Sequence, residues 1–181
     1  MNAKKLTVGL IFSNLYRLLK VFPNNDPLMG FALPLARKGK WWHAMLFPII
    51  AMVSFDFISG AVGIWTVGTA LTYGLVGFLF YRYCKGKKKI SLKTYAGASV
   101  LGVLFFDFIT GAIMSPFMFG MTFEAAFIGQ IPFTAMHLFS ATFYTLLLAP
   151  VLDPEIAVDV SKHVSNFTRR LRAALGLPEA I

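Results

Sequence analysis

Long apolar runs separated by short polar segments dominate the pattern of this chain. A helix needs about 20 mostly apolar residues to cross the hydrocarbon core of a bilayer. Five of the runs approach or exceed this length and one falls well short of it; in chain order they cover residues 6–22, 28–36, 41–59, 62–82, 95–114 and 123–150. The pattern therefore predicts an all-α integral membrane protein, a six-segment helical bundle whose second segment is short.

The first two segments leave the most room for alternatives. The turn-forming residues 23–27 separate them, and a basic cluster at 37–40 follows the second. To cross from Asn25 on one side to Arg37 on the other, we expect a half-helix tucked within the bundle, part of it extended at about 3.3 Å per residue. Residues 6–22 cross the membrane in this reading, and a helix lying flat on the membrane surface is the alternative.

Composition excludes several classes of function. A mean hydropathy of +0.68 and 57% hydrophobic residues are too high for a soluble domain of this length. The net charge of +9 comes from basic clusters between apolar runs, which is typical of loop anchors and not of a nucleic-acid-binding surface. Cys84 is the only cysteine, which excludes an intramolecular disulfide and a multi-cysteine metal site. We expect no metal site and no cofactor. No phosphate loop or catalytic motif is present, which argues against an enzyme.

The basic clusters also predict an orientation. Residues 4–5, 37–40 and 82–93 and the tail fall on one side, which the positive-inside rule assigns to the cytoplasm, with both termini there. We expect a multi-pass protein of a prokaryotic inner membrane, divided into a membrane-embedded bundle (1–152) and a cytoplasmic amphipathic tail helix (153–181) that Gly176 ends. One face of this tail is apolar and rests on the cytoplasmic leaflet or on a partner; it carries Ile156, Val160, Val164, Phe167 and Leu171.

A repeated seven-residue motif contains two candidate functional residues. The sequence Phe-Asp-Phe-Ile-Ser-Gly-Ala at 55–61 returns at 106–112 with Thr for Ser. It places Asp56 and Asp107 near the ends of apolar runs, where an ionised carboxylate is costly unless it is paired or hydrated. We expect compensation from Arg17 and Lys20, or from the first N–H groups of the helices that follow. A purely structural role, capping or ion pairing, is the alternative.

In the predicted topology, the polar intramembrane residues converge on the outer half of the bundle. Charges of both signs, amides and an indole would line a pocket for a small solute, whereas the alternative is an ion-pair network that only holds helices together. His137 shares a face with Gln130 and Thr134 and is interpreted as a packed or hydrogen-bonded interior residue. The predicted ligand-binding residues are Arg17, Asn25, Asp56, Trp65, Asp107, Glu124 and Gln130.

Residues 5–150 resemble the substrate-binding S component of energy-coupling factor (ECF) transporters, the prokaryotic vitamin-uptake systems. The resemblance rests on the six-segment layout, the Asn24-Asn25-Asp26-Pro27 loop and the stretch Gln130-Ile131-Pro132-Phe133. It implies an outer pocket closed by the first loop, a transmembrane coupling subunit and two ATPase subunits as partners. The family's Ala-x-x-x-Ala coupling motif has two counterparts here, Gly9 with Ser13 and Ala32 with Ala36.

These observations predict a membrane-embedded substrate-capture subunit for uptake of a vitamin-like micronutrient. Because the chain has no motif for binding ATP, accumulation would need a separate ATP-driven coupling module. The alternative is a stand-alone small channel or carrier in which Asp56 and Asp107 relay protons or cations. A purely structural subunit, with no ligand, is the third possibility.

Overall fold

A computed structural model describes residues 3–20 and 25–175, and every regular element in these ranges is a helix. This confirms the all-α prediction. In chain order the helices are α1 (Ala3–Leu18), α2 (Leu28–Lys38), α3 (Trp41–Ile58), α4 (Ile64–Cys84), α5 (Leu92–Asp107), a π-helical segment (Phe108–Met114), α6 (Ser115–Phe119), α7 (Phe123–Leu152) and α8 (Pro154–Ala174).

Four stretches of the described chain are long and apolar enough to cross a membrane. They are α3, α4, the continuous stretch Leu92–Phe119 and α7, which together make this a multi-pass membrane protein. The helix α1 has 16 residues and α2 has 11, so these two are shorter than the spans. α1 lies lengthwise along α3, because Gly9 faces Phe47 and Asn14 donates to Ser54.

The half-helix α2 forms the centre of the bundle. Every residue from Leu28 to Ala36 is buried. The prediction that part of this segment is extended is wrong, since α2 is helical throughout. It assumed that the chain starts its crossing at the membrane surface, whereas residues 25–27 lie inside the bundle, so a helix of roughly 16 Å covers the remaining distance. Gly30 allows α2 to pack closely against α7, because a Cβ at this position would lie only 2.7 Å from the backbone oxygen of Tyr144.

The two copies of the repeated motif fold differently. Within the first copy α3 ends at Ile58, and Gly60 turns the chain with a φ of +68°. The second copy continues as a π-helix into α6, where the Ser115 hydroxyl donates to the Thr110 carbonyl at 3.3 Å. The helical stretch therefore extends beyond the apolar run predicted to end at residue 114, and it ends at Phe119. As a result Asp107 lies near the middle of its stretch, while Asp56 lies two residues from the end of α3.

The clusters rich in charge meet at one end of the bundle, here called the basic end. There Arg37 contacts Glu155 and the backbone oxygen of Lys88. The loops at 59–63 and 120–122 lie at the opposite end. α7 runs unbroken through Pro132 and Pro150 toward the basic end, where α8 follows it. The predicted end of α8 at Gly176 lies outside the described residues, as does Asn24 of the first loop.

Candidate functional site

Five side chains form a continuous polar chain through the interior of the bundle. The Arg17 Nε atom lies 3.7 Å from Asp26 Oδ2, and the Tyr73 hydroxyl approaches the same oxygen at 3.5 Å. On its other side this hydroxyl lies 3.0 Å from His137 Nε2. The Nδ1 atom of His137 lies 2.9 Å from Asp107 Oδ1. These five residues are called the polar chain below.

The polar chain runs inward from near the opposite end of the bundle to its middle. Arg17, in the last turn of α1, stacks over Phe55 near the end of α3, with its Cζ atom 3.9 Å from the ring centroid. Tyr73 and His137 lie midway along α4 and α7. Tyr73, His137 and Asp107 are at most 2% exposed. Ionisable groups at this depth are costly without partners, and the polar chain gives each of them one.

Asp26 fastens the segment before α2 into the bundle. Its Oδ1 atom accepts a hydrogen bond of 2.6 Å from the backbone N–H of Leu28, the first residue of α2. Its own backbone N–H donates to the Ser140 hydroxyl of α7 at 3.3 Å. The neighbouring Asn25 amide donates to the Tyr16 hydroxyl of α1. The segment therefore bridges α1, α4 and α7 from inside.

The hydrogens of the polar chain can be counted. If the imidazole of His137 carries one proton, on Nδ1 toward Asp107, then Tyr73 donates to Nε2 and has no hydrogen left for Asp26. If both ring nitrogens carry protons, Nε2 donates to Tyr73, which donates to Asp26. In that state two cations, Arg17 and His137, also balance two carboxylates. One additional proton thus completes both the hydrogen bonding and the charge balance.

Acceptor atoms without a partner lie beside the polar chain. Asp107 Oδ2 and Asn25 Oδ1 are both buried, and neither has a hydrogen-bond partner within the described part of the protein. A buried acceptor left in this state costs about 1–3 kcal/mol. These oxygens are therefore the positions at which a bound molecule with N–H or O–H groups would gain most.

The predicted ligand-binding residues divide between several places. Arg17 and Asp107 belong to the polar chain, and Asn25 lies beside it. Asp56 is separate: it accepts a 2.6 Å hydrogen bond from the hydroxyl of Thr66 in the first turn of α4. The expectation that Arg17 and Lys20 compensate the two aspartates is wrong, because Arg17 pairs with Asp26 and the aspartates accept from Thr66 and His137.

The structure does not bring the remaining three to the polar chain. Glu124 is exposed in the first turn of α7, where the helix dipole favours a carboxylate. The Trp65 indole is 42% exposed and donates to the Ala61 carbonyl at 3.0 Å. Gln130 is half-buried, donates to Thr134 at 3.4 Å and packs on Gly111.

Sequence reasoning missed three members of the polar chain as site residues. Asp26 stood within the loop that carries the family resemblance but was not singled out. His137 was interpreted as a hydrogen-bonded interior residue, which the structure confirms. Tyr73 gave no signal, because a tyrosine within an apolar helix is ordinary. Only the tertiary structure, in which the side chain of Tyr73 reaches His137 and Asp26, shows its hydroxyl joining two ionisable groups.

The predicted coupling residues are covered by helices of this chain. Ala32 and Ala36 are 2% and 0% exposed on α2. Gly9 and Ser13 are also buried on α1, and a Cβ at Gly9 would lie 3.0 Å from the Phe31 ring. These small residues allow helices within the bundle to approach closely, and they form no exposed surface for a partner.

A second polar cluster, the ion-pair clamp, joins α2 to α8 at the basic end; it consists of Arg37, Lys38, Asp153 and Glu155. The Lys38 ammonium lies 3.1 Å from Asp153 and 2.7 Å from Glu155, and Arg37 contacts both carboxylates. Asp153 is fully buried, and the Tyr95 hydroxyl donates to it at 2.9 Å. The sequence identified Arg37 and Lys38 only as loop anchors.

The contacts within the clamp favour the ionised form of Glu155. The hydrogen bond from Lys38 holds the pKa of the Glu155 carboxyl below its usual value. A carboxyl whose pKa is lower when folded stabilises the fold above its unfolded pKa. This contribution is lost as the pH falls through the folded pKa. Because Glu155 is half exposed, solvent screening keeps the contribution small.

Among the grooves that the described residues form, two open on the sides of the bundle, and no member of the polar chain lines either of them. One, of about 610 Å³, lies between α4 and α5 and is lined by apolar and small residues such as Leu101 and Gly102. The other, of about 600 Å³, lies between the α5–α6 stretch and α7, and Gln130 and Thr134 are its polar lining residues. Residues 25–27 are themselves buried, and Asp26 belongs to the polar chain.

Within residues 3–20 and 25–175, no group of three or more His, Cys, Asp or Glu side chains is placed to hold a metal ion. No protein family model, no curated protein and no solved structure matches the chain.

Proposed function

We propose that this protein is a membrane-embedded substrate-capture subunit for a small, vitamin-like micronutrient. The observation that supports this most is the segment 25–27, which is inserted into the bundle and fastened by Asp26 over a buried polar chain. A segment that folds over an ionisable interior is the arrangement expected of a pocket closed by its first loop.

The contacts that hold this segment suit release and rebinding. Asp26 meets Arg17, Tyr73 and Ser140 at 3.3 to 3.7 Å, longer than strong charge-assisted hydrogen bonds. A typical hydrogen bond contributes only about 0.5–1.5 kcal/mol net. A solute that donates to Asp107 Oδ2 and Asn25 Oδ1 would offset the loss of these contacts. Such a solute is polar and carries N–H or O–H groups.

Uphill transport is assigned in this proposal to separate subunits. As in the S components that the sequence resembles, a transmembrane coupling subunit and two ATPases would supply the energy, in a prokaryotic inner membrane. The chain itself would bind and not catalyse. Vesicles that contain only this protein should therefore bind the solute without concentrating it.

Native mass spectrometry of gently purified protein tests the capture role. We expect an adduct of a small molecule that dissociates on denaturation. The substitution Asp107→Asn should lower the bound fraction strongly, and Asp56→Asn, the same change in the other copy of the motif, should lower it little. Folded protein without any adduct after exposure to a cell extract would favour a purely structural subunit. An equal loss of bound solute in both variants would show that the polar chain does not form the binding site.

A proton-linked carrier is a second candidate, and one observation favours it. The polar chain is a row of ionisable groups that lacks one proton for complete bonding when His137 is neutral. Proteoliposomes with this chain alone distinguish the two candidates. Solute accumulation or proton flux driven by an imposed pH gradient, and abolished by Tyr73→Phe, would establish the carrier. The matched control is Tyr95→Phe, since the Tyr95 hydroxyl serves only the clamp.

A further inference from the structure

The helix α8 leaves the bundle with one apolar face that is only partly used. At its start Ile156 is 1% exposed and packs with Val160 against the hydrophobic core. Further along the same face, Val164, Phe167 and Leu171 are 58%, 67% and 48% exposed. At roughly 100° per residue these five side chains fall on one stripe. The start of this stripe thus packs on the bundle, and the rest of it is exposed.

The ion-pair clamp fixes the direction in which this stripe faces. Asp153 caps α8 by accepting from the backbone N–H of Glu155 at 3.1 Å, and its carboxylate is held by Arg37 and Lys38 of α2. The first turn is therefore attached to the end of helices that pack within the membrane-spanning bundle. Because Ile156 faces these helices, the rest of the stripe points to the same side of α8, where its side chains are exposed.

Charge complementarity identifies the surface that α8 meets. Beyond Glu155 the described helix carries four basic residues and one acidic residue, Asp159; the basic ones are Lys162, Arg169, Arg170 and Arg172. On the helical wheel Arg170 borders the apolar stripe, where a long cationic side chain reaches lipid headgroups. The nearby loop adds Lys85, Lys87, Lys88 and Lys89 to the same end of the bundle. The surface of an anionic membrane fits both the basic residues and the apolar stripe, because negatively charged headgroups lie there over hydrocarbon.

We propose that α8 lies in the interface of the membrane and binds anionic lipid, with Val164, Phe167 and Leu171 entering the acyl boundary. The occupant is the bilayer surface and not a soluble protein. Hydrophobic burial and electrostatic attraction to anionic headgroups act together in such helices. The clamp then fixes the first turn of α8 to the bundle, and contacts with lipid stabilise its C-terminal half.

The test uses the full chain in lipid nanodiscs with single cysteines in a Cys84→Ser background. An environment-sensitive fluorophore is attached at Leu171→Cys, on the stripe, or at Ser165→Cys, on the opposite face, so that Phe167 remains in place. Discs are made of phosphatidylcholine alone or mixed with phosphatidylglycerol, each with and without a lipid that carries a shallow spin-label quencher.

We expect blue-shifted emission and strong quenching at position 171, neither at position 165, and a larger difference in discs with phosphatidylglycerol. Arg170→Gln should shift the docked fraction toward release, by about fivefold in the equilibrium for one charge near an anionic surface. Water-like emission at both positions in phosphatidylglycerol discs would overturn the proposal and point to a protein partner. Blue-shifted emission at 171 without lipid quenching would also overturn it, because the stripe would then pack on protein.

Discussion

At the scale of single residues, Tyr73 decides whether the polar chain is continuous. Its hydroxyl lies between His137 at 3.0 Å and Asp26 at 3.5 Å, and its ring packs on Phe106 with centroids 4.2 Å apart. Removing the oxygen while keeping the ring separates the Arg17–Asp26 pair from the His137–Asp107 pair. The chain offers a matched comparison in Tyr95, another buried tyrosine that bonds to a carboxylate, Asp153.

We predict that Tyr73→Phe and Tyr95→Phe each lower the free energy of unfolding by about 1–3 kcal/mol, because each leaves buried polar partners unsatisfied. Only Tyr73→Phe should also change solute binding. Thermal unfolding in detergent and the adduct fraction in native mass spectrometry measure the two effects. If Tyr95→Phe reduces the adduct as much, the loss reflects general loosening of the fold.

The two aspartates of the repeat provide a second prediction at this scale. Asp107→Asn leaves His137, which is 1% exposed, without its charged partner, whereas Asp56→Asn keeps an acceptor for Thr66. Breaking a buried ion pair typically costs about 3–5 kcal/mol, so Asp107→Asn should be the more destabilising change. A binding role predicts that solute affinity falls by more than stability does in the Asp107→Asn variant. A folded Asp107→Asn variant with unchanged binding would contradict that role.

At the scale of elements, glycines set how closely the helices pack. A Cβ at Gly77 of α4 would overlap the backbone oxygen of Ala44 in α3, which cannot move without displacing its helix. Gly97 of α5 has no neighbouring atom within 4 Å of the position where a Cβ would lie. The same substitution at the two sites therefore separates packing from helix propensity.

Gly77→Ala should destabilise the bundle by about 1–3 kcal/mol through overpacking. Gly97→Ala should be neutral or stabilise α5 by up to about 1 kcal/mol, since alanine is the better helix former. Size-exclusion profiles after heating in detergent compare the two with the unchanged protein. Similar loss in both variants would show that α5 is packed more tightly than the structure indicates.

The ion-pair clamp supports a prediction about α8. Arg37→Gln leaves the fully buried Asp153 with one cation fewer, while Lys88→Gln changes a residue that contributes its backbone oxygen to Arg37. We expect Arg37→Gln to loosen the first turn of α8 and to speed its cleavage in limited proteolysis. Lys88→Gln should behave like the unchanged protein. A rate of cleavage unaffected by Arg37→Gln would mean that packing of Ile156 alone holds α8.

At the scale of the whole molecule, the side of the membrane that the basic end faces is still an expectation from the positive-inside rule. Asn25 is a poor reporter of this, because it is 8% exposed inside the bundle. Met121, in the loop after α6, is 42% exposed and lies at the opposite end from Lys88. In cells that carry the Cys84→Ser background, Met121→Cys should react with an impermeant thiol reagent, and Lys88→Cys should react only after permeabilisation. The reverse pattern would invert the orientation and place residues 59–63 in the cytoplasm.

Much of the architecture follows from the sequence by itself. Apolar runs near 20 residues admit few structures other than membrane helices, because the backbone must satisfy its own hydrogen bonds in lipid. Such runs located α3, α4 and α7 to within about two residues. The start of α8 could also be predicted, since Asp153, Pro154 and Glu155 form a local helix start that needs no tertiary partner.

Other features were decided only by tertiary structure. The nearly identical motifs at 55–61 and 106–112 end one helix and continue the other, and their surroundings differ: Gln130 of α7 packs on Gly111, whereas no atom lies within 4 Å of the position where a Cβ at Gly60 would stand. Likewise, no local signal shows that residues 25–27 descend to the depth of Tyr73 and His137. The partners of a buried ionisable group come from helices distant in the chain, so their identity depends on how those helices pack. Sequence pattern located the charges, and packing decided which of them meet.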